Sequence, residues 1–211
     1  MEDFKMKKLG VLFMAFVISS LCFAQTASQN PEFDKVCQNI AAHKITKGNF
    51  SQIKMIKKIS REIRSSGTFI VSVDDGVLWN TQKPFKSSMA ITKSGIVQTA
   101  ANGKKSVVSS GSNATFEQVS SLMTSLFNGD SSALNKNFGI EFIGSAKSWN
   151  VNLTPRDSSI RSVISVIEMA GSASIDTMIL HEQTGDFTKY EFSNQTFPSA
   201  LTEEEKSGFK G

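Results

Sequence analysis

Much of the chain alternates between apolar and polar residues with a period of two, which is the pattern of half-buried β-strands. Alternation begins near Asn49 and returns in short runs as far as Phe192. Turn signals separate the runs, among them the Asp-Asp-Gly of residues 74–76 and the Asn-Gly of residues 102–103, both typical of β-hairpins. The pattern predicts about nine to eleven short antiparallel strands in meander order.

Three segments are predicted to be helices, two of them from the three-and-four spacing of amphipathic helices. The first begins at Pro31, in a turn rich in acids, and is predicted to end before residues 47–48. The second begins at Thr115, which has capping-box spacing to a Gln, and ends at the Asn-Gly-Asp of residues 128–130. The third is a short terminal helix capped by Thr202. Helices are therefore predicted at the start, in the middle and at the end of the chain.

The connections between the predicted strands decide the fold class. Consecutive strands are joined by tight turns rather than by helical crossovers, which argues against a parallel sheet. The chain has 211 residues, with no internal repeat and no low-complexity linker. The predicted fold is therefore mainly β with helices (α+β), built as a single antiparallel domain that follows an N-terminal segment.

The first 24 residues predict a secretory signal peptide. Three lysines precede an apolar run at residues 9–18, which is too short to span a bilayer. Cys22 and Ala24 occupy the small-residue positions of a cleavage site, so we expect cleavage after Ala24 and a domain over residues 25–211. The alternative is acylation of Cys22, as in bacterial lipoproteins, although the bulky Leu directly before it fits that processing poorly.

The composition argues against several classes of function. Lys and Arg exceed Asp and Glu by only four and are spread along the chain, which disfavours a dedicated nucleic-acid binder. Two Cys and two His are too few for a structural zinc site. The sequence has no G-x-S-x-G elbow and no glycine-rich phosphate loop, and His181 and Glu182 point to opposite faces of their strand. We therefore expect no catalytic residue, metal or cofactor, and predict that the protein is not an enzyme.

One group of basic residues stands out after the first strand. It is predicted to lie on a strand and the loop that follows. Two interpretations stay open, a solvated sheet edge and an electrostatic contact for an acidic partner or for anionic lipid headgroups. The group comprises Lys54, Lys57, Lys58, Arg61 and Arg64.

Several short motifs, in their order and spacing, resemble the LolA-like family of outer-membrane lipoprotein carrier proteins. The Gly-Asn-Phe-Ser-Gln of residues 48–52 resembles the family's G-x-F-x-Q opening strand. The Trp-Asn-Val-Asn-Leu-Thr-Pro of residues 149–155 is similar to its W-x-(apolar)-x-L-x-P strand. Further matches are a G-x-(apolar) strand at 66–69, a Trp strand at 76–79, a Pro turn at 83–85 and a closing strand at 185–194. The resemblance extends from about Phe33 to Phe209.

The resemblance implies a strongly curved antiparallel sheet, an incomplete β-barrel covered by helices that form a lid. Its apolar inner face would hold acyl chains. The implied function is a periplasmic, monomeric carrier that takes lipoproteins, or a related lipid or glycolipid, from an inner-membrane transporter to an outer-membrane acceptor. One position departs from the family, whose carriers latch the lid with an Arg in the strand before the Trp strand. Residues 71–75 contain no Arg, and Val73 stands nearest to that position.

Alternation along a curved sheet predicts which side chains face the cavity. For each residue the alternative is an ordinary filled core, and the sequence leaves both open. The predicted wall residues are Phe50, Phe69, Val71, Val77, Trp79, Met89, Ile91, Val151, Leu153, Met178 and Leu180. The predicted lid residues, on the middle helix, are Phe116, Val119, Met123 and Leu126.

Two other functions suit the same fold. One is an envelope sensor of lipids or lipoproteins that binds a protein partner. The other is a membrane-anchored acceptor, which requires acylation at Cys22. The lipid carrier is the leading hypothesis. Burying an acyl chain of sixteen carbons is worth on the order of 12 kcal/mol, so a carrier must offer the chain an apolar environment comparable to the membrane.

Overall fold

The computed structural model of the protein describes residues 30–109 and 124–210. Within these ranges the chain forms one antiparallel sheet of eleven strands. The strands are β1 (Ile45–Ile56), β2 (Arg61–Ser72), β3 (Gly76–Lys83), β4 (Ser87–Thr92), β5 (Gly95–Thr99), β6 (Lys105–Ser109), β7 (Phe138–Ser145), β8 (Ser148–Pro155), β9 (Ile164–Gly171), β10 (Ile175–Glu182) and β11 (Phe187–Thr196).

The sheet is two meanders joined at its centre. Its spatial order is β6-β5-β4-β3-β2-β1-β11-β10-β9-β8-β7, so every pair except β1 with β11 is consecutive along the chain. The edge strands β6 and β7 do not pair with each other, and the sheet is not closed. The prediction of a mainly β fold with helices, on a single open antiparallel sheet, is confirmed.

Four α-helices accompany the sheet in the described ranges, and each begins at a polar capping residue. They are α1 (Pro31–Ala41), α2 (Ser131–Asn137), α3 (Ser158–Arg161) and α4 (Glu203–Phe209). Residues 124–127 are also helical, and a 3₁₀ turn at Lys57–Ile59 joins β1 to β2. The predicted terminal helix is confirmed as α4, where Thr202 and Glu205 form a complete capping box.

Two short helices were not predicted. Asp130 accepts a hydrogen bond from the Ala133 backbone N–H at 2.9 Å and begins α2, a segment that the sequence pattern leaves between the middle helix and β7. Asp157 accepts one from the Ser159 N–H at 2.8 Å and begins α3, although alternation predicted a strand from residue 159. Both helices are too short to display a helical period, and their Asp residues are equally typical of turns.

Two boundaries were also wrong. Helix α1 ends at Ala41 and β1 begins at Ile45, earlier than the pattern predicted. Arg61 and Arg64 lie on β2 rather than in a loop, because the β1–β2 connection is only a short turn at residues 57–60. The two longest strands, β1 and β2, therefore form one extended hairpin.

The two faces of the sheet carry separate hydrophobic clusters. The inner face, which carries Phe69, is covered by α1, α2 and residues 124–127 through Phe33, Leu134 and Leu126. The outer face carries a smaller cluster that includes Leu78 and is covered by α4 through Phe209. Lys47 Nζ contacts Glu205 Oε1 at 2.5 Å and links this helix to β1. The terminal helix therefore stabilises the back of the sheet and takes no part in a lid.

Candidate functional site

The strand register places the predicted wall residues on the inner face. Residues directly opposite each other in a ladder share a face. Phe69 on β2 pairs with Trp79 on β3, and Trp79 pairs with Met89 on β4. In the neighbouring row, Val71 pairs with Val77, and Val77 pairs with Ile91. In the other half of the sheet, Val151 and Leu153 lie in rows with Met178 and Leu180.

An aromatic cluster around Trp79 forms the middle of this face. The ring centroid of Trp79 lies 4.3 Å from that of Phe50 and 5.9 Å from that of Phe69. The rings of Tyr190 and Phe192 meet Trp79 edge-on, with interplanar angles of 88° and centroid distances of 5.5 and 6.1 Å. Edge-to-face pairs of this kind stabilise beyond their buried area. The cluster rigidly joins β1, β2, β3 and β11.

A cavity of about 200 Å³ lies beside the aromatic cluster, over β3, β4 and β5. Its apolar wall is formed by four of the predicted residues, Val77, Trp79, Met89 and Ile91. The volume exceeds the roughly 150 Å³ of an apolar cavity known to admit benzene. The cavity therefore has room for a small apolar group or part of an alkyl chain.

The polar side of the cavity was not predicted. Its described lining also includes Gln52, Thr81, Ser87, Gln98 and Tyr190. Each of these residues lies two positions from an apolar inner-face residue, such as Gln52 from Phe50 and Thr81 from Trp79, and therefore shares its face. The period of two places these polar residues on the inner face, but a prediction that selects only apolar residues as cavity lining omits them.

Tyr190 is a half-buried polar residue at the cavity. Burial raises the pKa of its hydroxyl to about 12, and the nearby negative charge of Glu182 acts in the same direction. Glu182 Oε1 in turn accepts a hydrogen bond from Lys54 Nζ at 2.9 Å. The hydroxyl is therefore protonated at neutral pH and can both donate and accept a hydrogen bond beside an apolar wall.

The other half of the inner face is filled. Leu153, Ile167 and Met178 are at most 1% exposed, and they pack with α1 and α2 in one cluster. Phe69 and Val71 line a second space of only about 20 Å³, enough for roughly one water molecule. Of the predicted wall residues, those on β3 and β4 therefore border the larger cavity, while Val151, Leu153 and Met178 are core residues in this structure.

The predicted lid lies mostly beyond the described part of the chain. Phe116, Val119 and Met123 are outside the described ranges. Leu126 is 1% exposed in the helical residues 124–127 and belongs to the inner-face core. Nearby, the ring of Phe127 meets Phe192 edge-on at 5.8 Å. The end of the predicted lid segment thus packs against the aromatic cluster.

The position nearest to the family's latch lies in a turn rather than on a strand. Val73 follows β2 in the turn to β3, where it is 40% exposed and its N–H donates to the Lys44 carbonyl at 3.0 Å. This position lies at the end of the sheet, away from the described lining of the cavity.

The remaining candidates for chemistry lie away from the cavity. His181 Nε2 lies 2.9 Å from Glu168 Oε1, and His181 points to the outer face because its neighbour Leu180 points inward. Cys37, whose helical spacing predicts a core position, is 3% exposed, and burial raises its pKa to about 12. Neither group borders the described lining, and no cluster of three metal-binding side chains occurs among the described residues. In those ranges no helix is long and apolar enough to cross a membrane.

Several solved structures of other proteins are similar to this chain. No curated protein matches the chain in sequence. Among similar solved structures are a DUF1329 family protein from Desulfovibrio piger (11% identity, TM-score 0.48, covering 82% of this chain and 94% of that one) and a LolA superfamily protein from Nitrosomonas europaea (8% identity, TM-score 0.46, covering 83% and 97%). The lipoprotein LppX from Mycobacterium tuberculosis is another (10% identity, TM-score 0.44, covering 82% and 100%).

The sequence itself matches a family profile over most of its length. The matching profile is described as "Outer membrane lipoprotein carrier protein LolA", and the match covers residues 42–205. This segment includes all eleven strands and the whole described lining of the cavity. The protein is therefore a member of the outer membrane lipoprotein carrier protein LolA family.

Proposed function

We propose that the protein is a periplasmic lipid carrier that binds acyl chains of lipoproteins, or of a related lipid or glycolipid, in the inner-face cavity. The observation that carries the proposal is the cavity of about 200 Å³, whose lining combines apolar residues such as Trp79 and Met89 with polar ones such as Gln52 and Tyr190. In this proposal the first 24 residues direct export and are removed after Ala24. The carrier acts as a monomer between an inner-membrane transporter and an outer-membrane acceptor, without catalytic residues or a cofactor.

The size of the cavity sets a condition on the mechanism. Binding sites for drug-sized ligands have volumes of roughly 300–1,000 Å³, so about 200 Å³ holds only part of a long acyl chain. Loading a complete chain therefore requires the cavity to widen. Because β6 and β7 are unpaired edges, the two halves of the sheet can move apart there without breaking strand hydrogen bonds. Met89 helps in such a change, since its unbranched side chain adapts to different shapes.

The polar lining residues indicate how a lipid would be oriented in the cavity. An acyl chain has an apolar tail and a polar linkage, and the lining likewise contains apolar residues together with the polar Gln52 and Tyr190. The protonated Tyr190 hydroxyl can donate to an ester or amide carbonyl, and the Gln52 amide can donate or accept. We propose that the linkage lies on this side while the tail lies against Val77 and Ile91.

Native mass spectrometry of the protein purified from its own envelope tests the proposal. We expect an acyl-bearing species bound to the protein, and specific binding of a fluorescent fatty acid after that species is removed. Met89→Lys, which places a charge at the apolar wall, should abolish both. The matched control is Val97→Lys, because Val97 lies on the next strand and faces the outer side. The carrier proposal fails if no acyl species co-purifies and the fatty acid does not bind, or if both variants behave alike.

A further inference from the structure

The β1–β2 hairpin ends in a concentrated basic tip, which we define as residues 54–64. This tip contains five Lys or Arg residues and one Glu, so its formal net charge of +4 equals that of the whole chain. The positive charge of the sequence is therefore concentrated in this segment, although carboxylates compensate part of it. In the described part of the chain no ion pair engages Lys57, Lys58 or Arg61, whereas Lys54 pairs with Glu182 and Arg64 with Glu62.

The tip also exposes large apolar side chains. Ile59, in the turn between the two strands, is 59% exposed, and Ile63 is 41% exposed. At the same end of the sheet, the β3–β4 turn exposes Phe85 to 77% between Lys83 and Lys86. Exposed apolar side chains flanked by cations are the composition of elements that lie in a membrane interface, where cations meet anionic headgroups and apolar groups enter the acyl boundary.

The register connects the tip to the cavity. Ile63 pairs directly with Lys54, so the two residues share the inner face. Gln52, which lines the cavity, lies two positions before Lys54 on that same face. An apolar residue of the tip is thus one ladder step beyond the cavity lining. At the opposite end of the sheet, the β2–β3 turn carries Asp74 and Asp75.

We propose that the β1–β2 tip, together with Phe85, docks the protein on an anionic phospholipid bilayer with the cavity end of the sheet facing the membrane. A purely acidic protein surface would satisfy the cations, but it would leave Ile59 and Phe85 without an apolar environment. A bilayer surface satisfies both. The purpose of docking, exchange of lipid with the cavity, rests on the proposed function, but docking itself does not.

Vesicle co-sedimentation of the purified protein tests the docking surface. The probes are vesicles of phosphatidylcholine alone and vesicles that also contain phosphatidylglycerol, each at low and high salt. We expect binding only to the anionic vesicles, weakened by salt because exposed charges are screened. The triple variant K57Q/K58Q/R61Q should lose about fivefold in affinity per residue, or on the order of 100-fold in total. Replacing Ile59 by Ser should weaken binding further at high salt, where the apolar contribution remains.

The matched control removes the same charge from the opposite end of the sheet. Lys44, Lys93 and Lys147 are exposed residues at the α1–β1, β4–β5 and β7–β8 connections. The variant K44Q/K93Q/K147Q should bind anionic vesicles like the unchanged protein. The proposal is overturned if the unchanged protein does not bind anionic vesicles, or if the control loses as much affinity as the tip variant. Capture of an acidic protein without vesicle binding also overturns it.

A second measurement separates this proposal from the cavity. The tip variant should bind a fluorescent fatty acid normally, since none of its three substituted residues belongs to the described lining. Met89→Lys should bind vesicles normally and lose the fatty acid. If vesicle binding follows the tip while no variant binds fatty acid, docking stands and the carrier proposal fails. If the protein binds fatty acid but does not bind vesicles, the carrier proposal stands and the docking proposal fails.

Discussion

Filling the cavity with one larger side chain should weaken acyl binding and leave the fold intact. Met89 is half-buried on β4, directly opposite Trp79, and its side chain lines the cavity. Met89→Trp places an indole in that space. The matched control is Val97→Trp, which adds the same ring on β5, on the outer face opposite Ala90.

The size of the effect follows from the volume. At about 30 Å³ for a group the size of water, a space of about 200 Å³ takes roughly seven methylene-sized groups. An indole in place of a thioether occupies on the order of half of it, which excludes about three methylenes. Each buried methylene is worth about 0.8 kcal/mol, so the expected loss is about 2–3 kcal/mol, or 30- to 150-fold in affinity.

Titration calorimetry with a series of saturated fatty acids measures this loss. For the unchanged protein, we expect affinity to rise about fourfold per methylene until the cavity is full. Met89→Trp should reach its limiting affinity at a shorter chain, and Val97→Trp should follow the unchanged protein. Equal affinity of Met89→Trp and the unchanged protein for dodecanoate would refute the assignment of the site. So would a chain-length series without any slope.

Three further predictions concern stability. In the folded protein, burial raises the pKa of the Tyr190 hydroxyl from 10 to about 12. Its contribution to the free energy of unfolding is therefore complete below pH 10 and is lost as the pH rises toward 12. Denaturant unfolding should show that the unchanged protein loses more stability over that range than the Tyr190→Phe variant does. Thr202→Ala removes the α4 cap and should cost about 1 kcal/mol, whereas Thr202→Ser should be nearly neutral, as measured by thermal unfolding. Gly67→Ala would bring a methyl group to 1.9 Å from the Asn80 carbonyl oxygen and should destabilise by about 2 kcal/mol or more. Gly139→Ala should leave stability unchanged, because the nearest neighbour of its methyl group would be 3.8 Å away. Equal unfolding midpoints for these two variants would contradict the structure.

The strands and their faces follow from the sequence because one physical constraint governs them. A half-buried strand must alternate, so the period of two identifies both the strand and the side chains that point inward. This is why Phe69, Trp79 and Met89, on three successive strands, all point to the inner face. The terminal helix is predictable for a similar reason, since the capping box at Thr202 is a local signal.

The division of the inner face into a filled and a hollow half could not be predicted. Leu153 and Met89 have the same alternation, yet Leu153 is buried under helices and Met89 borders a cavity. The difference depends on where α1 and α2 lie across the sheet, which is a tertiary property. Tyr190 shows the same limit, because its position two residues from Phe192 indicates its face but not the empty space beside it.

The pairing of the first strand with the last determines how the cavity is assembled. Strands β1 to β6 are each paired with their neighbour along the chain, and so are β7 to β11, but β1 and β11 lie more than a hundred residues apart in the chain. Bringing β1 and β11 together costs more loop-closure entropy than forming a local hairpin does. We therefore expect this contact to form slowly during folding. Gln52 on β1 and Tyr190 on β11 are direct partners in that contact. A chain that lacks its C-terminal strand therefore has no complete cavity, and the cavity exists only when the two ends of the domain have met.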